Sequence, residues 1–364
     1  LCVSTDEDEA MPMTPNPFPG LPADVAQMIA SAMFCEFGTI SAQGVPIDTP
    51  LFCFADSSSR TIDVGTGLAY PAKAERARRN PKVGILLEGG PSQPVISIGA
   101  FATVKDGDIQ ANAERYIAEV IAYFDSFSMG SPWSVARQAV WYWARIFMLA
   151  TPKKILWWRS PAHLDEPPER WDAPADFEYP PSDPTPNTPP SAAAKWPTRE
   201  WRERVQELLA MSLTGHLTLI DDDGYPLPLR TRSSKLVSDG LVLNVPKGAP
   251  WQRVQGRASL CFAGQATFIG DVNADASGTH FAVERMLPDL PLVLDPREIW
   301  TPSDTIRQKL LTRLEQELAR RGQPLPTIPE QPPSPTPGSV ARAKLMERMQ
   351  QEMATQSRKE IAPI

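Results

Sequence analysis

The stretch Phe37-Gly38-Thr39-Ile40-Ser41-Ala42-Gln43-Gly44-Val45-Pro46, read together with the segment that follows it to Glu88, decides the fold. Gln43-Gly44 marks a hairpin tip between Thr39–Ser41 and the apolar run Ile47–Phe54. Asp56–Arg60 is a polar turn, and Thr61–Val64 is a short strand. The turn Thr66-Gly67 leads into a helix over 71–80 that carries Lys73, Arg76, Arg78 and Arg79, and Pro81 ends it. Val83–Leu87 follows as a nearly continuous apolar strand, the pattern of a strand buried on both faces. Hairpin, strand, cationic helix and strand together can hold a phosphate against one wall of a small barrel.

Outward from this segment, Leu21–Phe34 repeats apolar residues at helical spacing and delivers the chain into the first strand. Pro94–Val104 is a further strand. Ala111–Asp125 is an amphipathic helix with Ile117, Val120, Ile121 and Phe124 on one stripe. Trp141–Leu149 and Lys154–Trp158 read as two strands joined at Thr151-Pro152. The segment 160–200 contains 11 prolines and reads as an extended linker. A second half opens with a helix at Trp201–Met211. Gly215–Pro226 then repeats the order of Gly38–Pro46: strand, glycine-containing tip, Gly-x-Pro. Leu241–Val245, Lys247, Trp251–Gln255 and Ala258–Phe262 follow the order of Ile62–Val64, Thr66, Lys73–Arg79 and Val83–Leu87. The chain therefore reads as a divergent duplication, without a second copy of the 111–125 helix. Leu292–Leu294 and Glu298–Trp300 echo the closing strand. Ser303 is placed to cap a helix at 304–321 that Gly322 ends. Residues 340–357 are expected to form a charged helix. The expected units are a disordered segment 1–20, a first domain 21–160, a proline-rich linker 161–200, a second domain 201–302 and C-terminal helices at 303–364. Met11 or Met13 is the expected start.

The 364 residues carry a net charge of −7, which argues against a general nucleic-acid binder. No run of about 18 apolar residues is present to span a membrane, and Leu1–Ala10 lacks the basic-then-apolar pattern of a secretory leader. A cytoplasmic protein is expected. Cys2, Cys35, Cys53 and Cys261 form no CxxC pair, and the last three lie in apolar runs, as buried free thiols do. His163, His216 and His280 are too scattered for a metal cluster, and His216 and His280, which could serve acid–base roles, read as structural. No Ser-His-Asp, zinc or paired-carboxylate constellation stands out.

Residues 37–88, with Tyr70–Val83 and Ala111-Asn112-Ala113-Glu114-Arg115-Tyr116, resemble the pyridoxamine 5′-phosphate oxidase-like, FMN-binding split-barrel superfamily. The eight-residue spacing from Lys73 to Pro81 and the closing strand suit that pattern. The resemblance covers about 35–160 well and 201–300 weakly. It implies a mainly β fold with helices: two tandem split β-barrels, the second divergent, paired as an internal pseudo-dimer or further as a homodimer. It also implies FMN at the barrel interface, with deazaflavin or haem as alternatives. Lys73 is then the residue expected at the phosphate, with Thr66 donating its hydroxyl to the same phosphate or to the ribityl chain. Thr49 lies on the strand that runs past the flavin ring in the resembling proteins, and Trp158 is the aromatic expected near the site. Arg230 and Arg232 fall on one face of a strand and suit a phosphate or carboxylate. The activity implied is that of an oxidoreductase on a small organic substrate. The alternatives are a non-catalytic flavin, deazaflavin or haem sensor, and a structural pseudo-enzyme whose proline-rich segments recruit partners.

Overall fold

The computed structural model describes residues 18–56, 60–175, 177–191, 199–262, 264–275, 278–288, 296–344 and 347. The chain enters through α1 (Ala23–Ser31), then β1 (Phe34–Ile40), β2 (Pro46–Asp56), β3 (Thr61–Gly67), α2 (Ala72–Arg79), β4 (Lys82–Glu88) and β5 (Val95–Lys105). A helical excursion follows: α3 (Ile109–Val120), α4 (Phe124–Phe127), α5 (Trp133–Ala136) and α6 (Val140–Trp143). Strands β6 (Arg145–Trp158) and β7 (Glu169–Asp172) complete the first sheet. The second half contains α7 (Trp201–Ala210), β8 (Gly215–Ile220), β9 (Pro226–Arg230), β10 (Ser233–Leu236), β11 (Gly240–Asn244), β12 (Gln255–Phe262), β13 (Ala266–Asp275), β14 (Gly278–Met286) and α8 (Asp304–Arg321).

The first sheet runs β3-β2-β1-β4-β5-β6-β7, and a β3–β6 pairing closes six of its strands into a barrel. The second runs β10-β11-β14-β13-β12-β8-β9. Matched to the strands of the first sheet and read from β9, with the short edge strand β10 outside the match, its order is second strand, first, fourth, fifth, sixth, third. That is the same cycle opened at one seam, because β9 and β11 do not pair as β2 and β3 do. The fold is mainly β with helices, a closed split barrel followed by an opened copy of it. The helical excursion between β5 and β6 has no counterpart, since only residues 276–277 separate β13 from β14.

Several details differ from the sequence reading. Trp141 and Trp143 belong to a helical turn, and Arg145–Trp158 is one continuous strand. Pro152 is accommodated because the β5–β6 register shifts between Gly99 and Ala100, so the strand bends where the proline withholds a donor. Residues 251–254 are irregular and no helix mirrors α2. Pro296–Ile299 is a 3-10 turn rather than a strand, while 292–294 lie outside the described residues. The Ser303 side chain makes no cap hydrogen bond, although Gly322 ends α8 in the left-handed region at φ 62°. Residues 337–344 are helical, and of the rest of the expected 340–357 helix only Glu347 is described. Part of the expected linker joins the barrel: β7 pairs with β6, and Asp183 accepts from the backbone of Asp106 and Gly107. Phe18, within the segment read as disordered, is buried edge-on against Trp171. Among the described residues no helix is long and apolar enough to cross a membrane.

The two sheets meet along one row of the barrel wall. Gly38, Gly84 and Gly99 are register neighbours on β1, β4 and β5. A Cβ on Gly38 would lie 2.7 Å from the Pro226 carbonyl oxygen, and one on Gly84 would lie 1.7 Å from it. The absent side chains let the β9 backbone lie directly on the barrel. Ser97 then donates to the Pro228 carbonyl at 2.8 Å. Leu86, Val95, Leu156 and Trp158 of the barrel enter the apolar core of the second sheet, alongside Leu217, Leu227 and Leu229. Gly84→Ala therefore has to displace backbone, and overpacking of that kind costs about 1–3 kcal/mol or more. Chemical denaturation of Gly84→Ala should show that loss, whereas Gly90→Ala, with nothing within 4 Å of the added carbon, should unfold close to wild type.

Candidate functional site

The cations of α2 divide by partner. Arg78 pairs with Asp106 at 2.7 Å, and Glu75 pairs with Arg320 at 2.5 Å and Arg321 at 3.4 Å from α8. Arg79 reaches the Ile40 carbonyl at 3.5 Å. Lys73 and Arg76 have no carboxylate partner among the described residues. The Arg76 Nε donates to Thr39 Oγ1 at 2.7 Å. Burial first, then Arg76 and Arg145, bring the Lys73 ammonium down to about 8, while Cys261 opposes them weakly. Burial and then Arg79 lower Arg76 to about 10.

Arg145 completes this cluster at the start of β6. It is 8% exposed, and its guanidinium carbon lies 4.1 Å from the Tyr116 ring centroid and 4.2 Å from that of Tyr142. Its Nε has no hydrogen-bond partner. Two aromatic faces hold the group rigidly while leaving its donors available. Gly67 is opposite Arg145 in the β3–β6 register, and its missing Cβ would stand 3.7 Å from Arg145 Nη1. Sequence reasoning passed over Arg145; the only local signal is a lone arginine opening an apolar strand.

A second polar cluster lies on the face that meets β8 and β12. Glu36, Asp48 and Glu88 come from the barrel, and His216, Thr218, Ser259 and Cys261 from the second sheet. His216 Nδ1 is 3.1 Å from Glu36 Oε1, and its Nε2 is 2.9 Å from Glu88 Oε2. Burial works against a charged imidazole, but Glu88 and Glu36 outweigh it and raise His216 to about 10. Burial likewise opposes Glu88, yet His216 and then Arg230 hold that carboxyl below its ordinary value. Asp48 is fully buried. Its Oδ2 accepts from Thr218 at 3.1 Å, its N–H donates to Ser259 Oγ at 3.2 Å, and its carbonyl accepts from Thr267 at 3.0 Å. Burial and then Glu36 push the Asp48 carboxyl well above its usual range. A pocket of about 240 Å³ lined in part by Cys35, Glu36, Leu86, Glu88 and His216 opens beside these groups.

Of the residues singled out from the sequence, Thr66 and Lys73 fall around Arg145. Thr66 is buried opposite Ile146, next to Gly67. Thr49 stands opposite Phe37 in β2, with its hydroxyl buried and unpartnered. Arg230 points elsewhere, donating to Thr214 Oγ1 at 3.2 Å and lying 3.9 Å from Glu88. Arg232 pairs with Asp165 at 2.9 Å. Trp158 packs into the second sheet's core and donates to the Glu166 carbonyl at 3.0 Å. The sequence reading set His216 aside as a lone histidine in an apolar setting; its partners Glu36 and Glu88 are 180 and 128 residues away.

No family model and no curated protein matches the chain. Part of it is similar to solved structures. A Listeria innocua protein described as a pyridoxamine 5′-phosphate oxidase is 15% identical, at a TM-score of 0.27, over 37% of this chain and 96% of its own. General Stress Protein 26 of Bacillus anthracis is 13% identical, at 0.29, over 41% and 96%. A pyridoxamine 5′-phosphate oxidase-related, FMN binding protein of Nostoc punctiforme is 13% identical, at 0.30, over 42% and 91%. None of these likenesses bears on cofactor or activity.

Removing the imidazole between Glu36 and Glu88 leaves two buried carboxylates without their shared cation. Breaking a buried pair in this way costs about 3–5 kcal/mol. His216→Ala should lose that much stability in urea unfolding, while His280→Ala, whose partner Asp239 is exposed, should lose under about 1 kcal/mol.

Proposed function

We propose that the chain binds FMN, with the phosphate held by Lys73, Arg76 and Arg145, and acts as an oxidoreductase on a small organic substrate. The observation that carries this reading is the convergence of buried Arg145 with half-buried Lys73 and Arg76, none of which has a carboxylate partner among the described residues. Buried charge is ordinarily paired, and a phosphate dianion is the partner this donor set suits. Planar guanidinium forks give two oxygens a fixed direction, and an ammonium adds a point charge. Lys73 lies in the first turn of α2, where backbone N–H groups lack helical partners. The flavin part of the ligand rests on the sequence resemblance of residues 35–160.

When bound, the flavin supplies hydride chemistry and the protein supplies placement and electrostatics. Arg145, clamped between Tyr116 and Tyr142, orients the phosphate. Arg76, anchored on Thr39, fixes α2 against β1. Lys73 is charged at neutral pH and loses its proton as pH rises past about 8. Among the described residues the second half offers no equivalent set: no helix stands at 251–254, and Arg230 and Arg232 face Glu88 and Asp165. One site per chain is therefore expected.

Flavin fluorescence quenching should show one FMN per chain. Lys73→Met and Arg145→Met should each weaken binding about ten- to a hundredfold, the loss of a charge-assisted hydrogen bond of about 1.5–3 kcal/mol. Because the ligand favours protonated Lys73, wild-type affinity should fall as pH rises through 8, and Lys73→Met should show no such fall. Wild-type affinity in both variants would remove the assignment. Stopped-flow reduction of the bound flavin by nicotinamide cofactors tests the oxidoreductase part separately.

A further inference from the structure

A different group of side chains, at the junction of the two sheets, has the donors of a metal centre. One carboxylate oxygen from Glu36, one from Asp48 and the Cys261 sulfur lie within 4.8 Å of one another. Glu36 is 7% exposed, and Asp48 and Cys261 are fully buried. Glu36 Oε2 and Asp48 Oδ1 are buried with no hydrogen-bond partner. We propose that Glu36, Asp48 and Cys261 bind one divalent transition-metal ion of the zinc class, which ties the closed barrel to the opened one.

The chemistry of the donor set selects the ion. One thiolate with two carboxylates is too soft for magnesium or calcium and suits zinc, or cobalt in its place. Metal–ligand bonds of about 2.0–2.3 Å hold tetrahedral ligand atoms about 3.3–3.8 Å apart, so the three side chains need to close by about 1.5 Å at most. Groups behind the ligands orient them, as outer partners do at metal centres. His216 Nδ1 lies 3.1 Å from Glu36 Oε1, and Thr218 donates to Asp48 Oδ2 at 3.1 Å. The free oxygen on each carboxylate is thus the one without a protein partner. Cys261 is opposite His216 in the β8–β12 register, and Asp48 is opposite Gly38 at the end of the glycine row. Close packing of the sheets is what brings the thiol to the acids. Three protein ligands leave a fourth position, and Glu36 also lines the neighbouring pocket.

The test uses the full chain, stripped of metal with a chelator, desalted and titrated with Co²⁺. One equivalent should bind, with a near-ultraviolet thiolate-to-cobalt band that Zn²⁺ abolishes by displacement. Cys261→Ser should lose the band, and Asp48→Asn should bind Co²⁺ at least tenfold more weakly. A chain carrying Cys2→Ser, Cys35→Ser and Cys53→Ser, in which Cys261 is the only thiol, should keep it. Zn²⁺ should raise the melting temperature of wild type and leave that of Cys261→Ser unchanged. Absence of the band in the wild-type chain would overturn the proposal, whether or not the variants fold. So would its persistence in Cys261→Ser.

Discussion

The seating of β9 on a strip of barrel wall without side chains is the contact on which the rest depends. Gly38, Gly84 and Gly99 leave β1, β4 and β5 flat at one level, and the Pro226 carbonyl occupies the space that a Cβ would take. Prolines suit the docked strand for a related reason. Pro226 and Pro228 have no N–H, so β9 lies against a foreign surface with fewer donors to satisfy. The opened barrel gains by the same contact. Its core is incomplete alone, and Leu86, Val95, Leu156 and Trp158 of the closed barrel fill it. Association of the halves and completion of the second core are one event.

The ends of the glycine row carry ionisable side chains, and both reach across. Asp48 is the register neighbour of Gly38, and Lys154 that of Gly99. Asp48 engages Thr218, Ser259 and Thr267, while Lys154 binds Asp221 and, at 2.5 Å, Asp223. The acid-rich tip Asp221-Asp222-Asp223-Gly224 thus works as a docking hook, with Lys82 adding a bond to the Asp223 carbonyl at 2.5 Å. Apolar contact gives this seam its area. Buried polar pairs punish any other register, because a slip would strand Asp48 and Lys154 without partners.

Local pattern made much of the first barrel readable. The hairpin at Gln43-Gly44, α2 between Thr66-Gly67 and Pro81, and the amphipathic α3 all follow from turn chemistry and period. The duplication was readable because Gly44-Val45-Pro46 recurs as Gly224-Tyr225-Pro226. The errors share a cause. Thr151-Pro152 looks like a break, but Lys153 beside it is the extra residue of a register shift against β5 that absorbs the proline, and a single strand's sequence does not record its register against a neighbour. Trp251–Gln255 was matched to Lys73–Arg79 by repeat order alone, although Pro250 and the short spacing leave little length for a helix there. Arg145 and His216 escaped notice because their roles are fixed by residues far along the chain. Tyr116 and Tyr142 sandwich the one, and Glu36 and Glu88 bracket the other.

The two halves have diverged in a consistent direction. The closed copy keeps α2 and the helical excursion, and these are the elements that gather Lys73, Arg76 and Arg145 with the tyrosines around them. The opened copy lacks both, and its own arginines, Arg230 and Arg232, are matched to acids at the seam and the linker. A duplicated barrel that must act as a docking surface favours paired charges, since an unpaired cation at a packed interface costs free energy. A barrel that must take up an anion favours the reverse. Both copies carry paired cations, Arg78 and Lys154 in the closed one and Arg230 and Arg232 in the opened one, but the cations gathered at α2 and β6 without a carboxylate partner among the described residues belong to the copy that kept α2 and the helical excursion.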